Sequence, residues 1–308
     1  MMIEPQPDES RHYQFIYDCG EIEWFYKYAV PRIEEDRVLF WSLSARNKLL
    51  SDEERKTYKL GRSEMMKKTV IRKNGFSFFI ESLRSAECHK DGMLTNARVP
   101  YPQKCLRLYW NLNPTSVRKV IFEQQRLINE YNEEMIAAAL KRSDAAIESA
   151  FHKMRRIFDA TLSLYASASA ERMWADFEID IEKDELVKDE YYKFENLSRN
   201  FLTEKIGRKN FLLVTSPGGL HFPVKKDALR FNPQEITDGI SRLAKDCGLS
   251  IIECIRNKNE MIALPGTYAF RADGSLAVPV VLNKDDFDTG DEIKKEEDSG
   301  KNDETDVQ

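Results

Sequence analysis

Residues 174–184, WADFEIDIEKD, alternate two kinds of side chain. Acids hold every second position, and these acids are Asp176, Glu178, Asp180 and Glu182. Apolar residues stand between them, namely Phe177, Ile179 and Ile181. Because successive side chains of a strand leave opposite faces, the stretch predicts a strand with one acidic and one apolar face. Crowded like charges destabilise a sheet, so the acidic face either lies in water or holds a cation.

The composition is that of a globular protein. The chain has 308 residues and is 42% hydrophobic, which suffices for a sizeable core. No apolar run reaches bilayer length and the first ten residues are polar, so we expect a cytoplasmic protein with no membrane partner and no signal peptide. Five scattered cysteines without a CxxC spacing, and only four histidines, disfavour a disulfide framework or a zinc site.

The net charge is unevenly distributed. The whole chain carries −5, but residues 284–308 hold 11 acids and 4 lysines, a local net charge of −7 that leaves +2 for the other 283 residues. A near-neutral body with local basic patches is compatible with a nucleic-acid partner.

Changes in composition and hydrophobic periodicity divide the chain into four segments. We expect a loose leader at 1–10 and a mainly helical N-terminal region at 11–170, whose longest helical part begins at residue 115. A mixed module follows at 171–283 and packs with that region. The remainder, 284–308, lacks apolar periodicity and is expected to be a disordered acidic tail.

Local signals mark elements in the N-terminal region. Two apolar stretches predict strands, RVLFWSLSAR at 37–46 and KCLRLYWNLNP at 104–114. Ser51 followed by Glu54 is a capping box that begins a helix. Residues 63–87 are expected to continue helically.

Beyond residue 171 the patterns indicate an α+β module with hairpin-like turns. Predicted strands are NFLLVTS at 210–216, LHFPVKK at 220–226, LSIIECIRN at 249–257 and LAVPVVLN at 276–283. One predicted helix is NPQEITDGISRLAKDCG at 232–248, closed by its glycine.

A glycine-rich hairpin follows the acidic strand. In residues 215–224, TSPGGLHFPV, a strand ends at Ser216 and the returning strand begins at His221. Gly218 and Gly219 let backbone N–H groups approach an anion, while Ser and His side chains donate to phosphate oxygens. An ordinary hairpin turn gives the same pattern and is common, so the stretch alone favours a hairpin without an anion site.

A third acid lies on a later strand. Residues 251–267, IIECIRNKNEMIALPGT, place Glu253 in an apolar stretch, with Arg256 and Lys258 just after it. A lone buried acid is costly without a partner. Either a metal or an arginine satisfies Glu253, or the side chain lies on an exposed face.

These three features, in this order, resemble the archaeo-eukaryotic primase superfamily over residues 172–283. The first motif of that family is a strand with two acids one residue apart, and FEID supplies Glu178 and Asp180. Asp176 and Glu178 form an alternative pair, and the family more often has Asp in the first acidic place.

The later motifs of the family also have counterparts. Its second motif pairs a serine with a histidine across a hairpin, matched here by Ser216 and His221. Its third motif is an acid on a following strand, for which Glu253 is the candidate.

The resemblance implies an RRM-like, mixed or antiparallel catalytic module and a primase-polymerase activity with Mg²⁺ or Mn²⁺. Such enzymes join nucleotides on a template through two-metal chemistry. The implied catalytic and metal-binding residues are Glu178, Asp180 and Glu253, with Asp176 as the alternative. The implied nucleotide-binding residues are Ser216, Gly218, Gly219, His221 and Arg256.

The implied partners are single-stranded DNA, an NTP or dNTP, and a replicative helicase or single-strand-binding protein. Template binding calls for basic and aromatic side chains. The candidate basic patches are Lys67, Lys68, Arg72 and Lys73, and then Lys225 and Lys226. Trp41 and Trp110 are expected in the core.

Two rival functions remain. A metal-dependent nuclease also clusters acids, but its common signature places Lys two residues after an acid. Lys183 follows Glu182 by one residue and Asp180 by three, which is the wrong spacing. The second rival is a non-catalytic nucleic-acid-binding replication accessory protein on a decayed primase fold.

Overall fold

The computed structural model describes ten stretches of the chain. They are 13–33, 36–58, 63–72, 74–87, 101–155, 173–186, 188–230, 232–257, 260–271 and 273–287. Within the strand at 63–71, only Val70 and Ile71 have described side chains. The predicted leader at 1–10 and residues 288–308 of the predicted tail lie outside these stretches.

The described residues form an α+β fold with nine strands and seven α-helices. The strands are β1 (Arg37–Arg46), β2 (Ser63–Ile71), β3 (Leu106–Asn111), β4 (Thr115–Ser116), β5 (Trp174–Ile181), β6 (Val214–Ser216), β7 (Gly219–Lys225), β8 (Ile251–Asn257) and β9 (Met261–Ala263). The helices are α1 (Cys19–Ala29), α2 (Asp52–Tyr58), α3 (Phe76–Glu87), α4 (Val117–Leu140), α5 (Asp144–Arg155), α6 (Asp189–Ile206) and α7 (Pro233–Asp246). None of these helices is both long and apolar enough to cross a bilayer.

Two antiparallel sheets organise the chain. The first has the order β2-β1-β3-β9, with β4 also paired to β1. The second has the order β6-β7-β5-β8. Strand β9 follows β8 in sequence but joins the first sheet. The predicted N-terminal region and module therefore share a sheet.

Local chemistry explains several element boundaries. Asp18 caps α1 by accepting hydrogen bonds from two backbone N–H groups of its first turn. The predicted capping box begins α2, because Ser51 N donates to Glu54 Oε2 (2.7 Å) and Glu54 N donates to Ser51 Oγ (3.2 Å). Gly248 follows α7 with φ of 79°, a conformation that favours glycine.

Two expectations about the elements were wrong, namely the helix at 63–87 and the strand at 276–283. Residues 63–87 are not continuously helical, because β2 pairs with β1 before α3 begins, so pairing with a distant strand overrides local helix preference. The N-terminal region also supplies four strands of the first sheet, β1 to β4. Residues 276–283 make only isolated bridges, and Pro279 has no N–H to donate to a ladder.

The folded body also extends past the predicted tail boundary at 284. Arg199 on α6 bonds Asp285 at 2.8 Å and Asp286 at 2.7 Å. Lys284 pairs with Glu21. These contacts hold residues 284–287 against two helices, so the tail cannot begin before residue 288.

Each sheet has its own core. Trp41 and Trp110 are fully buried in the core of the first sheet, as predicted. In the second sheet, Phe177, Ile179 and Ile181 pack beneath α6 and α7. The opposite face of β5 meets the first sheet, since Trp174 belongs to the first core. The acidic row of β5 therefore faces the first sheet, between the two layers.

Candidate functional site

Strand register gathers the acidic side chains on one face of the second sheet. Glu178 lies directly opposite His221 on β7, and Asp180 lies directly opposite Glu253 on β8. Directly opposed residues share a face in an antiparallel pair. Glu182, the last acid of the alternating row, lies beyond the end of β5. The sheet thus brings together the predicted acids Glu178, Asp180 and Glu253.

Asp176 forms the buried end of this row. Its side chain is fully buried, and its Oδ2 lies 2.9 Å from His221 Nδ1. Asn257 Nδ2 donates to the same oxygen at 2.9 Å and to Met261 O at 3.1 Å. Asp176 Oδ1 is buried without a hydrogen-bond partner. A buried carboxylate oxygen in that state is costly, which favours an additional cationic partner.

The cluster perturbs two titrating groups. Burial lowers the pKa of His221, but the neighbouring carboxylates, Asp176 first, outweigh burial and raise that pKa above its ordinary value. Burial raises the pKa of Glu178; His221 opposes this shift, and the adjacent acids add to it. Ionisation of Glu178 is therefore disfavoured, whereas the carboxylates favour the charged form of His221.

The glycine hairpin is pressed against the acidic row. A Cβ at Gly218 would lie 2.6 Å from Asp180 Oδ1, and one at Gly219 would lie 1.9 Å from Ile179 O. The Gly218 N–H donates to Ser216 Oγ at 3.3 Å. Gly219 is therefore required for close packing against the backbone of β5, whereas a Cβ at Gly218 would meet only the side chain of Asp180.

Cationic side chains from the first sheet face the acids. Arg46 at the end of β1 and Arg107 on β3 line a cavity of about 420 Å³ together with Glu178, Asp180 and His221. A second cavity of about 590 Å³ lies between Arg46 and Glu253. The acidic and basic walls thus enclose a cleft, which we call the charged cleft.

Buried polar atoms line the basic wall of the charged cleft. Arg107 is only 7% exposed, and its Nε has no hydrogen-bond partner, although its Nη2 donates to Phe270 O at 3.0 Å. Ser42 Oγ is likewise buried without a partner. Arg46 Nη1 donates to Tyr109 Oη at 2.5 Å. These groups have hydrogen-bonding capacity that a polar ligand could use.

Several predicted site residues lie elsewhere. Arg256 pairs with Phe177, whose side chain faces the helices, so Arg256 leaves the sheet on the face opposite the acids. Lys225 pairs with Trp174 at the far end of β5 from Asp180. Neither joins the charged cleft. Lys258 and Lys73 lie outside the described residues, as do the side chains of Lys67 and Lys68.

Sequence reasoning missed Asn257 and the basic wall. Asn257 shares its face with Glu253 because it follows by four residues on one strand, a signal that period-two counting provides. Arg107 interrupts an apolar strand, which marks a charge in need of a partner. No local signal places either arginine opposite β5.

A second cationic surface lies at the other end of β1. Arg72 and Arg118 line a cavity of about 780 Å³, together with Ile121 and Phe122 of α4. The Phe122 residue is 68% exposed. We call this surface the arginine groove. Arg37, at the edge of this groove, lies nine positions before Arg46 on β1, a span of about 30 Å in a strand.

The side chains of the charged cleft are suited to bind a divalent cation. One ligand atom each from Asp176, Glu178 and His221 lies within 4.8 Å of the other two. Carboxylate oxygens suit Mg²⁺ and Mn²⁺, and the facing arginines suit phosphates. The arrangement can therefore hold a metal and an anionic substrate together. Comparison of the chain with protein-family models, with curated proteins and with solved structures gave no match.

Proposed function

We propose that the charged cleft is the active site of a template-directed nucleotidyltransferase of the primase-polymerase type, acting on single-stranded DNA with Mg²⁺ or Mn²⁺. One observation carries the proposal: a wall of carboxylates faces a wall of arginine and lysine across a cavity. A metal–nucleoside triphosphate complex presents the matching charges, with cations on one side and phosphates on the other.

Each wall has a defined task in this reaction. Glu178, Asp180 and Glu253 would bind the metal ions, whose chemistry would be to activate the 3′-hydroxyl of the growing strand and to neutralise the leaving pyrophosphate. Arg46 and Lys48, which line both cavities, would bind the triphosphate.

Ser216 and His221 lie at the same cavity and complete the phosphate site. Nδ1 of His221 faces the acids. Its other ring nitrogen, Nε2, is therefore the one available to donate to a phosphate oxygen.

The test is primer synthesis and extension on single-stranded DNA with labelled NTPs or dNTPs and either metal. We expect metal-dependent products that disappear in a Glu178→Ala/Asp180→Ala variant. A matched control, Glu148→Ala/Glu204→Ala, removes two exposed helical acids and should retain activity. Absence of product from folded wild-type protein with both metals would overturn the proposal. DNA binding without synthesis would then favour an accessory protein, and DNA cleavage a nuclease.

The arginine groove is proposed as the template path. Arg72 and Arg118 supply phosphate contacts, and the exposed ring of Phe122 supplies a surface on which an unpaired base can stack. Asp36 also lines the groove, but Ser116 Oγ donates to its carboxylate at 3.2 Å. The arginine groove and the charged cleft lie at opposite ends of β1.

Removing the two arginines should weaken DNA binding in a salt-dependent way. For Arg72→Ala/Arg118→Ala, we expect the slope of log affinity against log salt for labelled oligo-dT to fall by about 1.4, roughly 0.7 per lost phosphate contact. Phe122→Ala should cost about 1–3 kcal/mol at every salt concentration without changing the slope. Fluorescence anisotropy measures both.

The control removes two exposed arginines elsewhere, Arg230→Ala/Arg242→Ala. If this control changes the slope as much as the groove variant does, or the groove variant changes nothing, the groove does not bind the template.

A further inference from the structure

Glu178 and His221 line the charged cleft, and the buried Asp176 lies beside them, so that one ligand atom of each is within 4.8 Å of the other two. His221 Nδ1 lies 2.9 Å from Asp176 Oδ2 and 3.6 Å from Glu178 Oε2. Nitrogen and oxygen ligands bind first-row metals at about 2.1 Å, which separates two of them by about 3.0 Å at a right angle and about 3.4 Å at a tetrahedral angle. The observed distances bracket these values.

The donor set selects the kind of metal. Mg²⁺ and Ca²⁺ are bound almost entirely through oxygen, whereas imidazole is a preferred ligand of transition metals. Two carboxylates with one imidazole therefore suit Mn²⁺, Fe²⁺, Co²⁺ or Zn²⁺. Among the two cations implied for nucleotidyl transfer, this set favours Mn²⁺ over Mg²⁺.

A second observation points to a ligand at this place. Asp176 is fully buried, and its Oδ1 has no hydrogen-bond partner. Its Oδ2 is oriented by Asn257 Nδ2 at 2.9 Å, which is the role that outer residues play around metal-binding carboxylates. The carboxylate is thus held rigidly with one oxygen unsatisfied.

We propose that Asp176, Glu178 and His221 bind one transition-metal ion, Mn²⁺ by preference, in the absence of any nucleotide. In this arrangement His221 contributes Nδ1 to the metal and keeps Nε2 for a phosphate. The metal's role in nucleotidyl transfer rests on the proposed function, but its binding does not. Asp180 and Glu253 remain for a second ion that arrives with the triphosphate.

The test uses full-length protein without a histidine tag, stripped with EDTA and titrated with Mn²⁺. Loss of the free Mn²⁺ electron paramagnetic resonance signal counts bound ions, and electron spin echo modulation detects a coordinated ¹⁴N nucleus. We expect one tight ion with ¹⁴N modulation, displaced only by an excess of Mg²⁺ of 100-fold or more. Wild-type protein that binds Mn²⁺ without ¹⁴N modulation, or not at all, would overturn the assignment.

Variants identify the nitrogen. His221→Gln should lose the ¹⁴N modulation and weaken Mn²⁺ binding at least about 10-fold, whereas His152→Gln, on the exposed surface of α5, should change neither. Asn257→Ala should weaken binding but keep the modulation. If His221→Gln, shown to be folded by circular dichroism, keeps both, His221 is not the ligand.

The two proposals fail separately. Nitrogen-coordinated Mn²⁺ in a protein that makes no primers keeps the metal site and removes the polymerase. Primer synthesis by a protein whose bound Mn²⁺ shows no nitrogen coordination keeps the polymerase and removes the metal site.

Discussion

Replacing Glu178 with glutamine is expected to reduce the proposed nucleotidyl transfer at least about 10³-fold, or roughly 4 kcal/mol of transition-state stabilisation. Glu178 is the one acid common to both candidate pairs, Asp176 with Glu178 and Glu178 with Asp180. It lines the charged cleft beside both Asp180 and His221. Glutamine has nearly the size of the Glu178 side chain but carries no charge. Single-turnover primer extension at saturating metal measures the effect.

The same variant should not be less stable. Burial raises the pKa of Glu178, with adjacent acids adding to the shift, so ionisation of Glu178 destabilises the metal-free fold. A raised folded-state pKa makes a contribution to stability that is complete below about pH 4.5 and is lost as pH rises. Glu178→Gln should therefore equal or exceed the wild type in urea denaturation at pH 8 with EDTA, and that gain should vanish toward pH 4.

A matched control is Glu204→Gln, an exposed acid on α6, which should leave both activity and stability unchanged. If the Glu178→Gln variant keeps its activity, the carboxylates of the charged cleft do not take part in the reaction. Lost activity together with lost stability would mean that Glu178 acts mainly in the fold.

Much of the second sheet could be predicted from residues 174–184. Alternation is visible there because one face of β5 packs beneath helices and the other carries three acids after Trp174. The same signal was absent from β2, whose strand conformation depends on pairing with β1 along 63–71. The pairing of β9 with β3 is likewise invisible, because it joins segments about 150 residues apart.

Only the acidic wall of the charged cleft was predicted from the sequence. Period-two counting placed Glu178 and Asp180 together, and applied to β8 it would have put Arg256 on the wrong face and Asn257 on the right one. The basic wall could not be found in this way. Its position depends on how two sheets face each other, which no spacing within a strand records.

Replacing Gly219 with alanine is expected to destabilise the protein by about 3–5 kcal/mol or to prevent folding. The new Cβ would lie 1.9 Å from Ile179 O and 3.0 Å from Ile179 C. Both are backbone atoms of β5, a central strand paired on each side. Relief therefore requires β7 to move away from β5, with loss of the hydrogen bonds between them. Urea denaturation at pH 7 measures the cost.

Two other glycines separate packing from chemistry. Gly20→Ala, in α1, meets only Asp18 Oδ1 at 3.3 Å and should be close to neutral. Gly218→Ala meets the carboxylate end of Asp180 at 2.6 Å; this end can rotate, so stability should fall little while primer extension falls sharply. If Gly219→Ala is as stable as the wild type, the hairpin does not pack on β5 as described. The distances that bring Ser216 and His221 to the acids would then no longer hold, because the same hairpin sets both.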